Sequence, residues 1–412
     1  MINDKSFIVL AKSSNIKKKI SLTYDSWDQK EIDAINKTLS TNQLTQSKNV
    51  KKLEKIVAKY HKRKFCLMVN SGSSANLIGV SAMKLYHKLN LKDGDEFIAP
   101  GIGWSTSYSP FIQNNLNVRF VDVEKYSMNI DPRLIEKNIN KKTKGILAIN
   151  ILGNPCEYEK ILNIAKKFNL LLVEDNCESL GATYKRSKCG SFGLWSSLSS
   201  YYSHHISTIE GGFLLTDDDN FFSIAKSIRS HGWVRDQLKS KIFNIKKYSS
   251  EKKKFLFYFP GYNLRSTEIN AAIGIEQFKK LNKFVSQRRK NYKIIKSIIS
   301  KYNRIIIQKE CEFSSWFGFG LIFLTKKNEM KSILRIFKKN LIETRPIVTG
   351  DFTNQPVMKY YNKKSLKYKL QNCSLINDQG IMIGNSHVAF TKAQQLNLKR
   401  TFDKINELIN KN

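Results

Sequence analysis

From about residue 64 onward, hydrophobic and polar positions switch repeatedly between two periods. The run "KFCLMVNSG" is apolar and closes on a Ser/Gly turn, and it predicts a buried strand. "SANLIGVSAMKLYHKL" follows with apolar residues at helical spacing. "DEFIAP", "NVRFVDVE", "GILAINILG", "NLLLVEDN" and "GGFLLTDD" are further short apolar or β-branched runs, and "EYEKILNIAKKFN" predicts a helix between two of them. Strands apolar on both faces and separated by helices predict an α/β fold, a mostly parallel sheet covered by helices on both sides. Such sheets bind ligands beyond the carboxyl ends of their strands. Both "VNSGSSAN" and "VEDNCES" fall at such ends. A long helical pattern from about Ser266 to Tyr302 predicts a bridge into a smaller C-terminal α/β domain. That domain opens with the strand-like "SSWFGFGLIFL", whose aromatics read as core packing. The expected organisation is an N-terminal extension over 1–22, a large domain over 23–285 and a small domain over 286–412.

Composition narrows the function classes. With 412 residues and 41% hydrophobic content, the chain has the means to bury two cores. No apolar run approaches the roughly 20 residues that span a bilayer. The first residues carry Asp4 ahead of a short apolar patch and no small-residue cleavage site, which argues against a signal peptide. The expectation is a soluble, cytoplasmic chain. Six scattered cysteines without a CxxC pair argue against a disulfide framework or a closed zinc site, and read as buried, inert thiols. The formal charge of +36 would suit nucleic acid, but the lysines are spread along the chain and no helix-turn-helix, zinc-finger or RNP-like pattern accompanies them. The expectation is therefore no nucleic-acid and no membrane partner, and a basic surface that also suits an anionic small molecule. The segment Lys239–Lys254 reads as an exposed loop.

Three motifs carry candidate chemistry, each with a plainer alternative. "NSGSSAN" places small residues between a strand and a helix, where backbone N–H groups and hydroxyls suit a phosphate, or simply cap the helix. "VEDNCES" puts Asp175 at the end of a buried strand, positioned either to hold a ring nitrogen protonated or to cap the next turn. "GIGWSTS" offers Trp104 on a Gly-flanked loop, either stacking on a flat ring or filling the core. The dipeptide His204–His205 stands out among serines and tyrosines just before Glu210 and two glycines.

Taken in order, SGSSA, GWST, VEDNCESLGATY, CGSFG, SS–HH–EGG and PGYNLRSTEINAAIG resemble the sugar aminotransferases of the DegT/DnrJ/EryC1/StrS family, from about Ser26 into the C-terminal domain. The resemblance implies a fold-type I, aspartate-aminotransferase-like enzyme dependent on pyridoxal phosphate. In that family the lysine that captures the cofactor lies five residues after a phosphate-binding serine and six before the acidic-Gly-Gly segment. Here Ser199 to His204 is five positions and His204 to Glu210 is six. Counting from Ser200 would favour His205, but then the spacing to Glu210 fails.

Histidine has no primary amine, so the resemblance implies pyridoxal or pyridoxamine 5'-phosphate held non-covalently, with His204 as a base. This matches the sugar 3-dehydratase subgroup, with a nucleotide sugar as substrate and glutamate as amino donor. An iron–sulfur sister subgroup keeps its cluster cysteines between the HGW and GYN segments. That interval, His231 to Asn263, holds no cysteine here, which argues against an iron–sulfur reductase partner.

The same resemblance implies that Asp175 pairs with the pyridine nitrogen and Trp104 stacks on the ring. It places Ser73, Ser74 and Ser199 at the phosphate and Glu178 at the ring hydroxyl. Asn263 would reach the phosphate of a neighbouring subunit, implying a homodimer with shared sites. His231 and Arg345 are implied for the sugar or glutamate end. An enzyme like the iron–sulfur sister subgroup, a plain sugar aminotransferase and a cofactor-binding regulator remain the alternatives. The nucleotide base follows no pattern readable in the chain.

Overall fold

The computed structural model describes residues 18–237, 240–362 and 365–411. Its main body is a seven-stranded sheet. The strands, with the short hairpin beside them, are β1 (Phe65–Val69), β2 (Glu96–Pro100), β3 (Asn117–Val121), β4 (Thr143–Ile149), β5 (Leu171–Asp175), β6 (Thr183–Tyr184), β7 (Ser187–Lys188), β8 (Trp195–Ser199) and β9 (Gly212–Thr216). The order is β1-β9-β8-β5-β4-β2-β3, with β6 and β7 forming the separate hairpin. Every strand of the large sheet is parallel to its neighbours except β9, which runs antiparallel to both β1 and β8. Its strands are almost wholly buried, as expected when helices cover both faces.

Register decides where the site lies. Val69 pairs with Gly212, Gly212 with Ser199, and Asp175 with both Ile149 and Ser197. The carboxyl ends of β1, β8, β5 and β4 thus finish along one edge. The helix Gly72–Leu85 starts directly at that edge, with Ser71 as its N-cap accepting the Ser74 N–H. A Cβ on Gly72 would come within 2.7 Å of Cys177 Sγ, and one on Gly212 within 2.4 Å of the Ser71 backbone. These two glycines let three segments converge on one point.

A second, four-stranded antiparallel sheet holds β10 (Ile305–Ile307), β11 (Gly318–Phe323), β12 (Thr344–Arg345) and β13 (Gly380–Gly384), in the order β10-β11-β13-β12. The helix Glu268–Ile299 links the two units. Its first part, through Val285, packs into a core with Val50, Leu53 and Leu198. Its last part, from Tyr292, packs with Trp316, Phe319, Phe323 and Phe402. Tyr292 and Trp316 stack with ring centroids 3.6 Å apart.

Of the N-terminal extension, residues 1–17 lie outside the described residues. Ile20 is fully buried and pairs with Ile342, so the stretch just before the large domain packs on the small sheet. Two expectations need correction. Lys239 lies outside the described residues; the rest of the segment to Lys254 is not all exposed loop, because Phe243 and Ile245 bury themselves with Val234, and Ser250–Lys253 forms a helical turn. The thiols are free as expected, but Cys177 and Cys311 are only partly buried. No helix among the described residues is long and apolar enough to cross a membrane.

Candidate active site

A cleft of about 300 Å3 opens at the shared strand edge. Asp175 forms its floor. The carboxylate is buried, and Oδ2 accepts from Asn76 Nδ2 at 2.8 Å and Ser107 Oγ at 2.6 Å, while Oδ1 accepts from the Cys177 N–H at 3.0 Å. Three donors on three elements therefore fix an anion at the base of the cleft.

One end of the cleft is formed by the start of the helix Gly72–Leu85. Ser73 Oγ lies 2.7 Å from Thr106 Oγ1, and Ser199 lines the wall beside it. Small side chains, hydroxyls and a helix N-terminus together make a ready anion cradle. Ser74 is placed differently from expectation. Its hydroxyl turns inward, donating to Asn70 Oδ1 at 2.6 Å, and it does not line the cleft. It serves the turn that presents Ser73.

His204 and His205 part company. The loop between β8 and β9 is closed by the Ser200 N–H donating to Gly211 O and the Tyr202 N–H donating to Ile209 O, both at 2.9 Å. His204 projects from it into the cleft, with Nδ1 2.7 Å from Cys177 O. A carbonyl only accepts, so Nδ1 carries the proton and Nε2 is left for chemistry. Burial, opposed by that hydrogen bond, pulls the imidazole down to about 4, so it is neutral at physiological pH. His205 is 1% exposed and points away, with Nε2 3.2 Å from Ser315 O.

Around the imidazole stand Phe317, with ring centroids 4.9 Å apart, and Tyr201 at 6.0 Å. Phe317 is buried in the core of the large domain, as expected of this segment's aromatics, and its ring also lines the cleft. Glu178 Oε2 accepts the Leu152 N–H at 2.9 Å, and burial pushes its carboxyl up to about 7 despite that bond and nearby Arg345. Trp104 begins the helix Ser105–Gln113 and is 51% exposed at the mouth, with the Arg345 guanidinium 5.8 Å from its ring centre.

Ser73, Trp104, Asp175, Glu178, Ser199, His204 and Arg345 thus share one cleft. His231 and Asn263 do not join it within this chain. His231 packs on Trp233 with centroids 5.0 Å apart, and Asn263 is exposed, its Oδ1 accepting from Arg265 Nε.

The motif series, this register and this cleft agree with what comparison finds. The model of the DegT/DnrJ/EryC1/StrS aminotransferase family matches residues 25–398. The chain belongs to this family. It is 41% identical over 372 residues to the GDP-4-keto-6-deoxy-D-mannose 3-dehydratase of Yersinia pseudotuberculosis, covering 89% of this chain and 94% of that one. With the enzyme of the same name from Escherichia coli O55:H7 it shares 39%, over 89% and 95% of the two chains. A crystal structure of GDP-4-keto-6-deoxymannose-3-dehydratase with a trapped PLP–glutamate geminal diamine superposes with a TM-score of 0.87 at 37% identity, covering 95% of this chain and 100% of that one.

Within the DegT/DnrJ/EryC1/StrS fold, four contributors to the site escaped the sequence reading. Asn76 and Ser107 hold Asp175, the Cys177 carbonyl orients His204, and Phe317 packs on its ring. Asn76 and Ser107 sat inside motifs already singled out, so their hydrogen-bonding side chains were a usable signal. A backbone carbonyl and a phenyl ring leave none.

Proposed function

We propose that this chain is a pyridoxal phosphate-dependent 3-dehydratase of GDP-4-keto-6-deoxy-D-mannose, using glutamate as amino donor and releasing a 4-keto-3,6-dideoxy sugar. The observation that carries the reading is His204: at the family's lysine register the cleft presents an imidazole, and among the described residues no lysine lines it. The relatives at 41% and 39% identity bear this activity in their names.

The residues present fit the cofactor. The buried Asp175 carboxylate, held by three donors, suits a protonated pyridine nitrogen. Ser73, Ser199 and the helix N-terminus suit its phosphate, and Trp104 offers an exposed aromatic face at the mouth. When bound, the cofactor supplies an amino group passed on from glutamate and a ring able to take up an electron pair. His204 supplies the mobile proton acceptor: Nδ1 is committed to Cys177 O, Nε2 carries the lone pair, and an imidazole never captures the cofactor as a lysine would. Glu178, with its carboxyl near 7, is equipped to donate or accept at a ring hydroxyl around neutral pH. Arg345 would face the anionic end of glutamate or the sugar nucleotide.

Asn263, exposed and away from its own cleft, is available to a neighbouring subunit's phosphate, in a homodimer with shared sites. The enzyme would work in the cytoplasm without an iron–sulfur reductase. The test is to give the purified protein pyridoxal phosphate and glutamate with either the GDP- or the CDP-linked 4-keto-6-deoxy sugar, and to assay iron. Turnover of the GDP sugar by iron-free protein is expected; turnover only of the CDP sugar, or stoichiometric iron, overturns the assignment.

A further inference from the structure

Arg288 lies on the helix Glu268–Ile299 between Val285 and Tyr292, where that helix passes from one core to the other. It is 4% exposed. Buried guanidinium groups ordinarily answer to a carboxylate, because an unpaired charge in the interior is costly. No carboxylate is within ion-pair distance of Arg288 among the described residues. Its Nη1 instead donates to Phe317 O at 3.0 Å and Asn385 O at 2.8 Å, with Trp316 O at 3.4 Å. Asn385 returns the contact: its Nδ2 donates to Arg288 O at 3.1 Å and to Trp316 O at 2.8 Å. Burial brings the guanidinium down to about 10, which still leaves it cationic at physiological pH.

The carbonyls held this way belong to the turn that presents Phe317. That ring is 4.9 Å from His204 and 6.0 Å from His205, and Trp316 beside it has a left-handed backbone with φ of 50°. Such a conformation is rare for an aromatic residue and needs its surroundings to hold it. We infer that Arg288 is a positioning residue for the His204 base: it fixes the turn that seats Phe317 on the imidazole, and it sets a permanent positive charge behind that ring.

The charges facing His204 come from several elements. Arg288 reaches it from the long helix, Arg345 from β12 and Asp175 from β5. His205 adjoins it, and Glu178 and Glu210 stand on the cleft walls. Burial is the largest influence on the ring, and the Arg288 charge acts in the same direction, opposing protonation. Arg288 also opposes protonation of His205 and His387. A cation that accepts no proton and meets no counter-ion is a constant bias toward a lone pair on His204 Nε2.

This inference rests on His204 being the base, so the test reads the ring itself and not turnover. Histidine-labelled full-length protein is titrated by NMR, with His204 assigned from His204→Asn. In the wild type the ring should titrate well below the ordinary 6.5. Arg288→Met should raise that midpoint by a few tenths of a unit or more, leaving it below 6.5 because burial persists. Arg288→Lys, which keeps the charge and loses donors, should hold it near the wild-type value. An unchanged midpoint in folded Arg288→Met overturns the inference. So does a wild-type midpoint at or above 6.5, or an Arg288→Lys midpoint that rises as far as expected for Met; the wild-type and Lys results decide the matter even if the Met variant does not fold. Failure of the base reading would show separately, as retained turnover in His204→Asn.

Discussion

Glu174 and Asp175 are consecutive on β5 and face opposite sides of the sheet. Glu174 is fully buried and saturated: its oxygens accept the N–H groups of Gly190, Phe192 and Gly193, each at 2.7 Å, and the Tyr158 hydroxyl at 2.9 Å. Asp175 accepts three hydrogen bonds as well, but it does so at the floor of an open cleft. His204 and His205 repeat the division, one ring in the cleft and the next sealed behind it. Hydrogen-bonded polar groups at the back hold the loops, while those at the front face the open cleft where the proposed chemistry would take place. On the proposed function, neighbours in sequence serve stability and catalysis separately, and the two roles should respond differently to mutation.

The largest effect is expected at the front. His204→Asn should lower the dehydration rate by about 1,000-fold, with the Tm within a few degrees of wild type. His204→Lys should lose dehydration and instead retain the cofactor covalently after borohydride treatment, seen by intact mass. Retained dehydration in both would break the comparison.

At the back, Glu174→Ala would strand the N–H groups of Gly190, Phe192 and Gly193, while the Tyr158 hydroxyl would keep Asn150 Oδ1 at 3.1 Å. A loss of about 3 kcal/mol or more is expected, read by denaturant unfolding. The surviving folded fraction should keep its turnover per molecule. Asp175→Asn should do the reverse, with stability close to wild type and kcat lower by about ten- to a hundredfold.

The strand pattern was readable because buried parallel strands are continuous apolar runs, and every run named from the sequence in the large sheet is a strand in the structure. β8 was not, because "WSSLS" carries three serines in a fully buried strand. The convergence of Gly72 and Gly212 was equally hidden, since close approach depends on segments far apart in the chain. The site motifs were legible as a series, and the register of His204 against Ser199 and Glu210 followed from counting. What counting could not supply was direction. Ser74 turns inward to Asn70, Phe317 sits in the core yet packs on the His204 ring, and neither orientation is written in local composition. Nothing in the local composition sets Arg288 apart from the other cations of its helix; its carbonyl partners do.

Burial of the histidines also gives a pH signature. His61, His204 and His387 are each pulled down to about 4, and His205 well below its ordinary value, with burial the leading cause in every case. The unfolded chain binds protons at these rings below about 6.5, while the folded chain does so at His61, His204 and His387 only near 4 and at His205 only well below 6.5, so stability should rise with pH across that window. Glu178 runs the other way: its carboxyl is raised from 4.5 to about 7, which makes stability fall with pH between those values. Four rings outweigh one carboxyl, so the Tm should be lower at pH 5 than at pH 6.5. His61→Gln should flatten the slope by one proton, up to about 1.4 kcal/mol per pH unit. His205→Gln is expected to cost about 1–2 kcal/mol of stability with turnover near wild type.

The account turns on oxygen leaving C3 and nitrogen not staying on the sugar. The direct measurement follows labelled amino nitrogen from glutamate while GDP-4-keto-6-deoxy-D-mannose is converted, with mass analysis of the sugar. The account predicts a sugar lighter by one oxygen atom, with the label recovered as free ammonia. A sugar that keeps its C3 oxygen and carries the labelled nitrogen at C4 would contradict it.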